Sequence, residues 1–311
     1  MDGHHDHGHG SGVDGARGRL LLVALLNGGF VAAEVAGGIA FGSLALLADA
    51  AHMASDAGGL ILALVAQTLV VRPPSGRHTY GLVRSEVLAG QANGLLTGAA
   101  GLWVMVEAVR RLGHPPPTEG LGVTLVALAG LAINLVSVRL LFSLRHHNLN
   151  LRGAFLHMAA DSAGSVAAIM AGAAALVGSA YWVDPLASIL IGLLVVWSAW
   201  GLLRATTHVL LEGAPPHIDR RQVTAAVLEL PPVVDVHHLH LWFLASNSVA
   251  LSAHLVLDDE PTLHEAQVVG DRIRDLLHER FGIEHATLEL ECHRCEPPVE
   301  AAEVNHRAGP A

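Results

Sequence analysis

Two short segments of this chain each set an imidazole and a carboxylate one helical turn apart: His52-Met-Ala-Ser-Asp56 and His157-Met-Ala-Ala-Asp161. An i,i+4 spacing places both side chains on one helix face. Two such helices facing each other offer two nitrogens and two carboxylate oxygens around one point. Zn²⁺ accepts His nitrogen and carboxylate oxygen in a tetrahedron. The charges also balance, because two carboxylates cancel a divalent ion while the imidazoles stay neutral. Both motifs lie in long apolar stretches, where a lone Asp at a span's centre costs roughly 2.5–3.5 kcal/mol even on the lenient insertion scale. Hydrogen bonding between helices would explain one such motif. Two copies in separate spans argue for a dehydrated divalent cation.

Other polar groups share these stretches. Asp49 lies seven residues before Asp56, on a similar face. It has three readings: a further ligand, a partner that orients an imidazole, or a proton acceptor, the second being favoured. Asn27, Glu34, Gln91, Asn93, Glu107 and Asn134 either line an ion path or join helices. Asp184, just before Pro185, is expected to cap the start of its own helix with Pro at the first helical position.

The elements that must carry these residues follow from composition. The chain has 311 residues, 52% hydrophobic and only 15% charged, against about 25% charged in a typical soluble domain. Six apolar segments, roughly 20–41, 44–71, 82–109, 121–142, 153–177 and 181–203, are each long enough to cross a bilayer as a helix. The chain has no Lys, so its Arg residues set the orientation. Arg17, Arg19, Arg72, Arg77, Arg84, Arg139, Arg145, Arg152 and Arg204 fall on one side, Arg110 and Arg111 on the other. The positive-inside rule then places both termini in the cytoplasm. The expected layout is a disordered His-rich tail over 1–19, a six-helix transmembrane domain over 20–211, a soluble domain over 212–296 and a disordered tail over 297–311. Periodicity in the soluble part reads α-β-β-α-β, with helices at 218–230 and 263–281 and strands at 234–243, 249–257 and 285–291. The fold class is thus an α-helical membrane protein with a C-terminal ferredoxin-like (αββαβ) α+β domain.

The formal charge of −10 argues against nucleic acid as a partner. His is abundant, with 21 residues, and imidazole is the commonest metal-ligand side chain. In the soluble part His237, His238 and His240 fall on the first strand and His254 on the second. Glu289 and Glu291 end the last strand, followed by Cys292-His-Arg-Cys295. This CxxC, formed by the chain's two cysteines, fits a chelate in a reducing cytosol. The bland alternative is a solvated strand with casual histidines. His4, His5, His7, His9, His146 and His147 either gather metal or are dispensable.

Together these residues resemble the cation diffusion facilitator family, in its zinc-transporting branch. The likeness runs from Asn27 to about Cys295. It rests on Gly42-Ser-Leu-Ala-Leu-Leu-Ala-Asp49-Ala-Ala-His52-Met-Ala-Ser-Asp56, on His78-Thr-Tyr-Gly81 with Arg84 and Glu86, on Asn148-Leu-Asn-Leu-Arg152-Gly-Ala-Phe-Leu-His157 leading into Asp161, and on Val183-Asp184-Pro185. The resemblance implies a homodimer in a lipid bilayer, here the inner membrane of a bacterium, with a cytoplasmic metallochaperone-like domain. It implies exchange of metal for protons, with His52, Asp56, His157 and Asp161 as the zinc-selective set and Cd²⁺ or Co²⁺ as further candidates. It also implies regulatory zinc in the soluble domain, where His237 or His238, His254 and Glu291 match the positions best. Another zinc is implied in the loop that holds His78.

These expectations describe a secondary transporter, not an enzyme, working by alternating access. Ligands must lose protons to coordinate metal, and an unperturbed imidazole titrates near about pH 6.5, so protons from an acidic side are a plausible trigger of release. The chain has no GxxxxGK[ST] segment for a nucleotide. The competing class is a membrane-bound metal sensor without transport, against which the chain offers no output module.

Overall fold

The computed structural model describes residues 10–142, 149–246, 248–258 and 260–293, and the side chains within those ranges other than 10–24 and 140–160. The histidines of the N-terminal tail, His146, His147, Cys295 and the tail from 297 onward lie outside the described residues. The chain divides into two units, residues 1–69 with 88–206, and residues 70–87 with 207–311.

The first unit holds six helices: α1 (Gly10–Ala40), α2 (Leu44–Val70), α3 (Ser85–Gly113), α4 (Gly120–Phe142), α5 (Leu149–Gly178) and α6 (Val183–Leu210). Among the described residues five are long and apolar enough to cross a membrane, and α1 adds a shorter apolar stretch, Leu25–Ala40. The helix α1 begins at Gly10, within the stretch expected to be a disordered tail. A formed helix adds turns cheaply, which a search for apolar periodicity does not register. Large apolar side chains such as Leu64, Leu96 and Trp197 point outward and are exposed, as a lipid solvent permits.

Glycines let the helices approach closely. A Cβ on Gly172 of α5 would lie 2.9 Å from the Gly120 carbonyl oxygen on α4, and one on Gly101 of α3 would lie 3.0 Å from Val195 Cγ1 on α6. Polar pairs add to this packing. Asn27 Nδ2 donates to Ser137 Oγ at 3.0 Å, and Asn134 Nδ2 to Ser165 Oγ at 3.3 Å. The Thr206 hydroxyl donates to Gln91. These amides therefore join helices.

The second unit contains α7 (Arg220–Leu228), β1 (Val233–Ala245), β2 (Ser248–Leu257), α8 (Leu263–Phe281) and β3 (His285–Glu291). The sheet order is β1-β2-β3, with β1 and β2 antiparallel and β2 and β3 parallel. A parallel pair needs a crossover, and α8 supplies it. Thr262 and Glu265 close a capping box at the start of α8, and Gly282 ends it at a φ of 66°. The core lies between helices and sheet, around Val223, Leu251, Leu255, Ile273 and Leu277. The loop before α3 belongs to this unit. Arg84 Nε donates to the Leu244 carbonyl at 3.4 Å, and Glu86 accepts from the Ser246 amide at 3.0 Å.

Candidate metal sites

The first site forms where α2 meets α5. His52 Nε2 lies 3.3 Å from Asp161 Oδ1, and His52 Nδ1 lies 3.6 Å from Asp56 Oδ2. One ligand atom from each of the three residues falls within 4.8 Å of the others. Zinc bonds of about 2.0–2.1 Å in a tetrahedron put neighbouring ligand atoms about 3.3–3.4 Å apart, the spacing between His52 and Asp161. Exposure is graded across the site: the Asp161 side chain is 2% exposed, His52 20% and Asp56 37%. One carboxylate is thus sealed in the bundle while the other opens to the outside. His157 sits on α5 one turn before Asp161, but its side chain lies outside the described residues.

The surroundings position α2. Asp49 is buried and accepts from Ser165 Oγ of α5 at 3.3 Å. Asp184 departs from expectation. It does not cap its own helix; its carboxylate caps α2. It accepts from Ser43 Oγ at 2.5 Å, from the Leu44 amide at 2.8 Å and from the Ala45 amide at 3.4 Å. These are the free donors of the α2 N-terminus, so α6 holds the end of the helix that carries His52 and Asp56. Glu107 is taken up by Arg111 at 3.1 Å, and Arg111 Nη1 also donates to the Gly42 carbonyl at 3.1 Å.

The second site lies on the sheet face turned away from α7 and α8. His237 and His254 are direct cross-strand partners, and His254 pairs with Glu289 on β3. Glu291 reaches both imidazoles: Oε2 is 3.4 Å from His237 Nε2, and Oε1 is 2.7 Å from His254 Nδ1. His237, His254 and Glu291 present ligand atoms within 4.8 Å of one another. This donor set of two imidazoles and a carboxylate suits Zn²⁺. Sequence reasoning named Glu289 without a role and did not single out Asp235. They flank the set, with Glu289 3.3 Å from His254 Nε2 and Asp235 3.5 Å from His237 Nδ1.

A β-bulge explains the clustering. The β1 register shifts between His237 and His240, and His238 takes a φ of 47°. Val236, Leu239 and Leu241 face the core, so the extra residue turns both His237 and His238 to the opposite face. The His238 ring stands 5.3 Å from that of His237 and 5.1 Å from that of His254, centre to centre. His238 does not join the converging ligand atoms. Cys292 is exposed, contacts His293 at 3.3 Å and likewise stays outside that set.

Residues 20–211 match the family described as cation efflux transmembrane domain, and residues 215–293 match cation efflux protein, cytoplasmic domain. The chain belongs to the cation efflux family. Curated relatives of this cation efflux protein include the metal cation efflux system protein CzcD of Cupriavidus metallidurans, 39% identical over 100% of this chain and 96% of that protein. The zinc transporter ZitB of Escherichia coli is 38% identical over 94% of each chain. The cadmium, cobalt and zinc/H(+)-K(+) antiporter of Bacillus subtilis is 34% identical over 94% of this chain and 97% of its own length. The resemblance read from the motifs is therefore borne out. This cation efflux protein is an integral membrane metal efflux transporter, and its cytoplasmic domain is the dimer-forming module of the family.

Proposed function

We propose that this protein is a homodimeric Zn²⁺/H⁺ antiporter of a bacterial inner membrane, with both termini in the cytoplasm. The cargo would be held by His52, Asp56, His157 and Asp161. The observation that carries this reading is the 3.3 Å approach of His52 Nε2 to Asp161 Oδ1 within a membrane helix bundle, a spacing that suits a tetrahedral zinc ion. The printed names of relatives support it, since one is a zinc transporter and another exchanges cadmium, cobalt and zinc for protons and potassium. Cd²⁺ and Co²⁺ are the alternative cargoes. Zinc enters from the cytoplasm onto deprotonated ligands. The protein then turns its site outward, where protons displace the metal. The asymmetry of the arginines supports the orientation.

In the cytoplasmic domain, His237, His254 and Glu291 would hold a regulatory zinc. His238 lies close enough to join after a ring rotation, and Cys292 with Cys295 would add a nearby chelate.

The test is metal flux in proteoliposomes across Zn²⁺, Cd²⁺ and Co²⁺, with and without an imposed pH gradient. Wild type should accumulate zinc against its gradient when the vesicle lumen is acid, and Asp56→Ala and Asp161→Ala should not. Zinc flux indifferent to the pH gradient would rule out antiport. Zinc binding without flux would turn the reading into a membrane-bound sensor.

A further inference from the structure

Beside the metal ligands, four helices enclose a second polar cluster built from oxygen. Glu34 of α1 is 1% exposed, and among the described residues no protein donor reaches either of its carboxylate oxygens. The carboxyl next to it is that of Asp49 on α2, also 1% exposed. Asp49 accepts from Ser165 Oγ on α5, which in turn accepts from Asn134 Nδ2 on α4. Glycines lie against both carboxyls, the one beside Glu34 also packing on Phe30 Cε1, 2.8 Å from where its Cβ would stand. A Cβ on Gly130 of α4 would stand 3.3 Å from Glu34 Oε1, and one on Gly164 of α5 would stand 2.6 Å from Asp49 Oδ1. The fold therefore keeps room for this pair where any larger residue would crowd it.

The electrostatics of the pair are unbalanced. The charged groups acting on Glu34 are Asp49 of α2 and Asp161 of α5, both acidic. His52 of α2 and Asp161 of α5 act on Asp49 with opposite sign. From α4 the pair meets a glycine and an amide. Two ionised carboxylates side by side in low dielectric, with no cation between them, are not a tenable arrangement. One cation held between them makes the pair tenable, and a proton needs no further ligands to fill that role.

We infer that Glu34 and Asp49 share one proton and form the station, separate from the metal ligands, that carries the proton exchanged for the metal. The inference rests on the antiport reading and adds where the counter-ion sits. Ser165 ties the station to the metal site, since it binds Asp49 and lies one turn beyond Asp161 on α5. When a divalent ion enters the neighbouring site its positive charge expels the proton, and when the ion leaves the pair takes a proton from the side then open. One proton moves opposite to the metal through this station in each cycle.

The experiment uses the full-length protein in proteoliposomes, with Glu34→Gln and Glu34→Asp beside wild type. Three quantities are read: downhill zinc flux without a pH gradient, zinc accumulation driven by a pH gradient, and zinc-evoked proton movement followed by a trapped pH dye. Glu34→Gln should keep downhill flux within about twofold while losing gradient-driven accumulation by tenfold or more, together with the zinc-evoked proton signal. Glu34→Asp should restore both. A Glu34→Gln protein that responds to the gradient as wild type does would overturn the inference. So would one that loses downhill flux and zinc binding together. If a potassium gradient drives wild type in place of a pH gradient, the proton assignment is wrong. If wild type ignores every cation gradient, the antiport reading itself fails and takes this inference with it. Should Glu34→Gln fail to fold, infrared difference spectra of wild type decide: a protonated-carboxyl band lost on zinc addition and shifted in Glu34→Asp supports the station, and its absence refutes it.

Discussion

The proposed cargo site makes His52 the side chain on which metal preference should turn. Its ring lies between Asp161 and Asp56, so in the proposed set it supplies one of two imidazole nitrogens beside two carboxylates. Carboxylates suit Mn²⁺, whereas imidazole suits zinc. His52→Asp should therefore lower the preference for zinc over manganese by about tenfold, or about 1.4 kcal/mol. Competition flux with both ions present measures this, and an unchanged ratio would mean that His52 does not touch the cargo. Glu291 would play the corresponding role in the cytoplasmic domain, because its two carboxylate oxygens reach both imidazoles. Glu291→Gln should weaken zinc binding there by about tenfold or more while the domain keeps its fold; calorimetric titration and circular dichroism separate the two effects. The sequence made His52, Asp56 and Asp161 legible because a repeated i,i+4 pattern in apolar surroundings has few other uses. It could not choose between His237 and His238, since alternation assumes an unbroken strand and the bulge at His238 resets it. It named Glu34 only as a polar residue in a span, because the partner that gives it meaning stands on another helix.

The helices and strands themselves were largely legible from apolar runs and turn residues; α8 and β3 match the ranges read from the pattern alone. Contacts between elements were not. Asp184 followed by Pro185 reads locally as a helix cap, yet its carboxylate serves α2, which lies about 140 residues earlier in the chain. Asp184→Ala should remove the acceptors of Ser43 and of the first amides of α2. Loss of such a cap costs about 1–2 kcal/mol, and each kcal/mol lowers the melting temperature of a domain this size by about 2–4 °C. Thermal unfolding in detergent measures the shift, and zinc flux should fall with it because α2 carries His52 and Asp56. A variant with unchanged melting and flux would show that Asp184 does not hold α2. The crossing of α4 and α5 makes a sharper demand. A Cβ on Gly172 would stand 2.8 Å from the Thr124 amide nitrogen and 2.9 Å from the Gly120 carbonyl oxygen. Backbone cannot yield as a side chain can, so Gly172→Leu should separate the two helices. The expected result is loss of monodisperse protein on gel filtration in detergent; a well-behaved variant would contradict the close packing.

For the whole molecule, the division into units does not follow the order of the chain. Residues 70–87, which link α2 to α3, group with the cytoplasmic domain. The attachment is made of several weak contacts. Arg84 bonds the Leu244 carbonyl and lies 3.3 Å from Glu212, Glu86 accepts from the Ser246 amide, and the rings of Tyr80 and His285 meet edge-on at 5.8 Å. The Arg84–Glu212 pair is exposed, so on its own it contributes only about 0–1 kcal/mol. The Glu86 contact differs in kind, because a carboxylate that accepts from a backbone amide forms a charge-assisted bond. Removing Arg84 alone should therefore change little, whereas Arg84→Ala combined with Glu86→Ala should free the loop. Hydrogen exchange would show this as faster exchange at residues 72–84 and at Ser246, with zinc binding to the His237 and His254 cluster unchanged. The consequence for transport follows from covalent continuity. The loop continues directly from α2, which carries His52 and Asp56 of the proposed cargo site, so a loop held by the cytoplasmic domain restrains the end of that helix. If zinc in the cytoplasmic domain regulates flux by way of this loop, the double variant should lose the dependence of flux on that site while keeping basal flux. The comparison that decides it sets Glu291→Gln against the same substitution in the double variant. A further drop in flux there would mean that the signal travels by another route.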